Sequence, residues 1–156
     1  MNTARPKLNT QQVRDAGQYF VAAEISRQGG YAVLTPGNRK RIDILANDVE
    51  HKRFIGIQVK TKTGKGGWQA DTRSGQPHKK PKDETAYWVL VDLSQGDPQY
   101  YVMPAWWIEN DIHTTHHGYL HKHGGHRPHT DDSTHHLITV QRVEQWKDRW
   151  DVLGIF

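Results

Sequence analysis

Residues 86–93, AYWVLVDL, form a nearly continuous apolar and aromatic run. Successive side chains of a strand point to opposite sides of its sheet, so a run apolar at nearly every position needs cover on both faces. The run therefore predicts a central strand between two layers and, with it, an α/β architecture. The chain is 156 residues long, enough for one domain with a real core, and one domain is expected, its core spanning about residues 11–110.

The flanking elements follow from local signals. Asn9 and Gln12 have the spacing of a reciprocal helix cap, and Gly29-Gly30 is a stop, which predicts a helix over residues 11–28. Its 3.6-residue period puts Val13, Ala16, Gly17, Phe20 and Glu24 on one face, with Glu24 in the middle of it. A carboxylate on a sheet-facing stripe is costly unless it is paired or bound to a cation. The alternative rotation turns Val21, Ala22 and Ile25 inward and Glu24 to water. Strands are expected at residues 31–34 and 99–103, a short helix at 105–110 behind Pro104, and a last strand at 136–140. Val143, Trp146, Trp150 and Leu153 recur at helical spacing and predict a C-terminal helix over about residues 141–152.

Residues 41–62, RIDILANDVEHKRFIGIQVKTK, read as two strands and a polar hairpin. Alternation in the first, 41–46, groups Asp43 with Leu45. In the second, 54–62, it groups Gly56, Gln58, Lys60 and Lys62 opposite Ile55, Ile57 and Val59. If the strands pair, a carboxylate, an amide and an ammonium converge on one side of a sheet, a group suited to holding a divalent metal against a phosphate. An ordinary polar edge carrying an exposed Asp43–Lys60 ion pair satisfies the same alternation.

Positive charge gathers nearby. Arg39, Lys40 and Arg41 precede the Asp43 strand, and the long connection over residues 63–85 carries Lys65, Arg73, Lys79, Lys80 and Lys82 around Trp68. Basic residues interleaved with an aromatic suit a nucleic-acid backbone and an exposed base; a solvated loop is the plainer reading. The net charge of +4 and pI of about 9.3 are compatible with a polyanionic partner. Nine of the eleven histidines fall in an excursion over residues 113–136, where His113, His117 and His121 at four-residue intervals invite a zinc reading. The stretch is also rich in Gly, Thr and Asp and has no established ligand spacing, which favours a polar segment that gains charge at mildly acidic pH. With no cysteine, disulfides and thiolate metal sites are excluded. No apolar run is long enough for a bilayer and residues 1–10 lack a secretory hydrophobic segment, so the expectation is a soluble, cytoplasmic protein with no membrane contact.

Taken in order, a helix bearing Glu24, a strand bearing Ile42-Asp43 and a strand bearing Gln58-Val59-Lys60 resemble the PD-(D/E)xK nuclease superfamily, the restriction-endonuclease-like proteins. Within it the pattern looks most like Mrr-like restriction endonucleases and archaeal Holliday-junction resolvases, over roughly residues 11–93. The resemblance implies an α/β/α core with a mixed central sheet flanked by helices, and a metal-dependent DNA endonuclease using Mg²⁺ or Mn²⁺. It implies Asp43 as the shared metal ligand, Gln58 and the Val59 carbonyl as further ligands, and Lys60 beside the attacking water. Glu24 matches the helix carboxylate, and Arg39, Lys40, Arg41, Lys62, Lys65, Trp68, Lys79 and Lys80 would hold DNA. Two departures stand out: Ile42 replaces the usual Pro, and Gln58 is an amide that brings no charge and cannot act as a base. The second leaves room for a non-catalytic nucleic-acid-binding module on the same fold. A homodimer whose two copies cut both strands is compatible with the sequence.

Overall fold

The first helix, α1, spans Thr10–Arg27. Its entry is the expected reciprocal cap: Asn9 Oδ1 accepts the Gln12 N–H and Gln12 Oε1 accepts the Asn9 N–H, both at 2.9 Å. At its exit Gly29 takes φ 102, a conformation open to glycine, and the Gly30 N–H reaches back to the Ile25 carbonyl at 3.0 Å. The coordinates are a computed structural model, and they describe residues 4–37, 41–127 and 133–156. Arg39, Lys40 and His129 lie outside the described residues.

Seven strands follow: β1 Tyr31–Leu34, β2 Ile44–Asn47, β3 Phe54–Lys62, β4 Trp68–Asp71, β5 Ala86–Asp92, β6 Gln99–Pro104 and β7 His135–Ile138. Five of them form one sheet in the order β1-β2-β3-β5-β6, in which β3 and β5 are parallel and every other neighbouring pair is antiparallel. The sheet is thus mixed, with β5 inside it as the apolar run requires. Tyr87, Val89 and Val91 enter one core with Val21 and Ile25 of α1, Ile44, Ile57, Trp150 and Leu153. Trp88 and Leu90 enter a second core on the opposite face, with Trp68, Met103, Ile138 and the Ile108 and Ile112 side chains of α2, Ala105–Lys122. The architecture is the expected α/β class, a mixed sheet flanked by helices.

Four expectations need correction. The stripe of α1 that meets the sheet is Gly17, Val21 and Ile25, while Phe20 is exposed. The segment after Lys62 is not one loop. It contains β4, which pairs antiparallel with β7 in a separate two-stranded sheet, and a 3₁₀ turn at Thr72–Ser74. The short helix after Pro104 continues through the first histidines to Lys122. The C-terminal segment is no single helix but α3, Val140–Val143, then 3₁₀ turns at Glu144–Trp146 and Trp150–Leu153, interrupted where Asp148 takes φ 53. Val143, Trp150 and Leu153 are buried as their spacing suggested.

Gly17 sets how closely α1 approaches β3. A Cβ at this position would lie 1.7 Å from Thr61 Oγ1 and 2.9 Å from Thr61 Cβ. Gly17→Ala is expected to destabilise the fold by about 1–3 kcal/mol, because the overpacking outweighs the roughly 1 kcal/mol of helix propensity that alanine gains. Urea unfolding checks this, and Gly17→Ala with Thr61→Ala should recover most of the loss.

Beneath α2, His136 is buried, and its Nε2 lies 3.0 Å from Arg142 Nη1, an arrangement in which the guanidinium donates and the imidazole accepts as a neutral ring. Burial, then the charge of Arg142, push its pKa from 6.5 down to about 4. The folded protein therefore resists a proton that the unfolded chain accepts. The stability this contributes is complete above pH 6.5 and is lost as pH falls toward 4, in total about 3 kcal/mol. Urea unfolding at pH 7 and pH 4.5 should show that loss, and His136→Gln should flatten it.

Candidate active site

β2 and β3 meet in the register Ile44↔Ile57 and Leu45↔Gly56, which, continued, would place Asp43 opposite Gln58. The ladder slips there. The Asp43 N–H donates to the Ile57 carbonyl at 2.8 Å, one residue out of step, at the point where the chain leaves Arg41 with φ 69. A non-glycine residue in the left-handed region is strained, and the surroundings must hold it there. The slip lets the Asp43 carboxylate reach two partners: Oδ2 accepts the Val59 N–H at 2.7 Å and Oδ1 accepts Gln18 Nε2 from α1 at 3.3 Å.

Asp43, Gln58, Val59 and Lys60 line one cleft of about 690 Å³, together with Thr10, Val13 and Arg14 from the start of α1, Arg41, and Thr61 to Thr63. Lys60 lies half-buried, with its Nζ 5.9 Å from the centre of the Trp88 ring. Burial lowers its pKa; Asp43 and Asp71 act to raise it again and Arg14 adds to the lowering. The ammonium is thus short of compensating negative charge, and an anion entering the cleft would supply it.

The donors on the wall suit a hard divalent cation. Each Asp43 oxygen makes one hydrogen bond and keeps a second lone pair, and Gln58 and Val59, which line the same cleft, carry further neutral oxygens in an amide and a carbonyl. One carboxylate with neutral oxygens is a set that Mg²⁺ uses where substrate phosphates complete its shell.

Glu24 is not brought to this cleft. It sits further along α1, its carboxylate bound by Arg27 Nε at 2.9 Å, Arg27 Nη2 at 2.7 Å and Gln28 Nε2 at 2.8 Å. The Arg27 hydrogen bonds hold its pKa below the ordinary value against the effect of burial. Besides Thr10 and Val13, the α1 residues that serve the site are Arg14, which lines the cleft, and Gln18, which reaches Asp43, one turn apart beside the Gly17 packing position. Reading the helix face from Gly17, Val21 and Ile25 would have found them.

The basic residues divide in the same way. Arg41 lines the cleft. Lys62 reaches its wall, but its ammonium is committed to Asp92 at 2.7 Å, to the Gly64 carbonyl at 3.0 Å and to the face of Trp68 at 5.2 Å. Trp68 is 1% exposed and its indole N–H donates to the Val91 carbonyl at 2.8 Å, so it is a core residue and no platform for a base. Lys65, Lys79 and Lys80 are exposed away from the lining, Lys80 lying 3.6 Å from Glu84. In the histidine-rich segment the His113 and His117 rings lie 4.1 Å apart on α2. Among the described residues no three His, Cys, Asp or Glu side chains are grouped to hold an ion.

No protein-family model matches the chain, and no curated protein matches it. Among solved structures it is similar to a bacterial homing endonuclease, I-Ssp6803I, with a TM-score of 0.53 and 17% identity over 95% of this chain and 94% of that one. The likeness shows a shared nuclease-like α/β fold across nearly the whole chain. Among the described residues no helix is long and apolar enough to cross a membrane.

Proposed function

We propose that the protein is a metal-dependent DNA endonuclease of the PD-(D/E)xK type, with Asp43, Gln58 and Lys60 as its centre. The observation that carries this is that those three residues line one cleft together with Arg14 and Arg41, close enough for the Asp43 charge to act on Lys60. The fold shared with a homing endonuclease supports DNA as the substrate.

Asp43, the Gln58 amide oxygen and the Val59 carbonyl would hold Mg²⁺ or Mn²⁺, which when bound supplies Lewis-acid polarisation of the phosphate and acidifies water. Arg14 and Arg41 bind the flanking phosphates and fix the strand in the cleft. The Val59 N–H and Gln18 hold the Asp43 carboxylate in one orientation. Lys60 orients the attacking water and stabilises charge developing on the phosphoryl oxygens as the new P–O bond forms and the ester P–O bond breaks.

Incubation of plasmid, linear and branched DNA with the protein tests this reading. Cleavage is expected with Mg²⁺ or Mn²⁺ and none with excess chelator. One observation favours a second reading, a binding module without turnover: Glu24 is tied to Arg27, which leaves Asp43, among the described residues, as the only carboxylate lining the cleft. A pure binder would show salt-sensitive DNA affinity that ignores the divalent metal, and no cleavage.

A further inference from the structure

Among the described residues Arg14, Arg41, Lys60 and Lys62 line the cleft with one carboxylate, Asp43, and of these four cations Lys62 is neutralised by Asp92. The side chain that hydrogen-bonds the Asp43 carboxylate is an amide, Gln18. Gln58 lies next along the wall, and Gln18 donates to Asp43 Oδ1 from a position on α1 where a second carboxylate could share an ion with Asp43. A dication entering alone gains one negative charge and meets three positive ones. A phosphodiester reverses that balance, since it compensates Arg14, Arg41 and Lys60 and brings further hard oxygen ligands.

Resting on the nuclease reading of this site, we propose that the chain takes up its divalent cation with the DNA backbone rather than before it, and that Gln18 is the positioning residue that sets this order. Its amide keeps Asp43 aimed into the cleft without adding the charge that would let metal bind alone. Linkage requires the effect to be mutual: DNA tightens metal by the same factor as metal tightens DNA.

The test follows Mn²⁺ uptake by the full chain through the paramagnetic resonance of the free ion, alone and with a short duplex, corrected for duplex alone. In parallel, anisotropy of the labelled duplex is read against Mn²⁺ concentration in the cold. Without DNA, uptake is expected only on the order of millimolar Mn²⁺, and duplex affinity should rise about 10- to 100-fold as Mn²⁺ is added. Asp43→Ala should abolish that rise. Gln18→Glu should tighten DNA-free Mn²⁺ binding by about tenfold or more and shrink the coupling.

Wild type that cuts DNA yet takes up Mn²⁺ equally with and without duplex would overturn the coupling and leave the nuclease reading intact. A folded Gln18→Glu whose Mn²⁺ affinity is unchanged would overturn the assignment of Gln18. Duplex binding that ignores Mn²⁺, with no cleavage, would remove both. Should Gln18→Glu not fold, the wild-type coupling still decides.

Discussion

Lys60→Ala is expected to slow DNA cleavage by about 10²- to 10³-fold, the range seen when one preorganised stabiliser of transition-state charge is removed. Duplex affinity should fall far less, because Arg14 and Arg41 still line the cleft. The size of the effect follows from where the ammonium sits. It is half-buried against Trp88, its pKa lowered by desolvation, so its field acts on an incoming phosphate with little screening by water. Lys60→Arg should restore only a small part of the rate, since a planar guanidinium cannot replace a point charge held in that geometry. Stability supplies the discriminating readout: removing a desolvated charge should leave urea unfolding unchanged or shifted upward. Single-turnover cleavage, anisotropy and unfolding on the same preparations check all three. A rate loss accompanied by an equal loss of affinity or of stability would make Lys60 a binding or structural residue.

Asp92→Ala is expected to cost about 3–5 kcal/mol of stability, the range for breaking a buried ion pair from one side. Both members are under a tenth exposed, with Lys62 Nζ 2.7 Å from Asp92 Oδ2. Burial raises the Asp92 pKa, but the hydrogen bonds from Lys62 and Ser94 outweigh it and leave the value lowered. The pair therefore contributes stability above the ordinary carboxylate value of 3.8 and loses it as pH falls through the lower folded value. With Asp92 gone, the ammonium keeps only the Gly64 carbonyl and the Trp68 ring. A double variant, Lys62→Met with Asp92→Leu, should recover nearly all of the loss, since an apolar pair of similar volume does not need water. Urea unfolding of both variants measures this. If Asp92→Ala costs less than about 1 kcal/mol, the pair is hydrated and Lys62 is available to a phosphate.

Periodicity made the sheet legible where strands are long and covered. β3 coincides with the expected residues 54–62, and β5 emerged from its apolar run because a strand with two buried faces leaves no other pattern. Gln58 and Lys60 line one cleft with Asp43, but Asp43 stands just before β2 and arrives through a register slip that no period encodes. The α1 face was harder. Ala22, Ala23 and Gly17 give it weak amphipathicity, and its defining contact is an absent side chain, the missing Cβ of Gly17 against Thr61. Glu24, which looked costly on that stripe, is satisfied locally by residues three and four positions on, a pairing that i, i+3 and i, i+4 spacing permits. Trp68 was hidden in a Gly- and Lys-rich stretch because β4 has only four residues and pairs with β7 across a long span of chain. Such a strand is defined by its distant partner more than by its own sequence.

The most direct measurement is nicking of supercoiled plasmid in excess Mg²⁺ by the wild type and by Asp43→Asn, purified side by side. The amide keeps the shape and an acceptor for the Val59 N–H but removes the one carboxylate that lines the cleft among the described residues. Wild type is expected to nick, chelator to stop it, and Asp43→Asn to match buffer alone. Equal nicking by the two proteins would contradict the site.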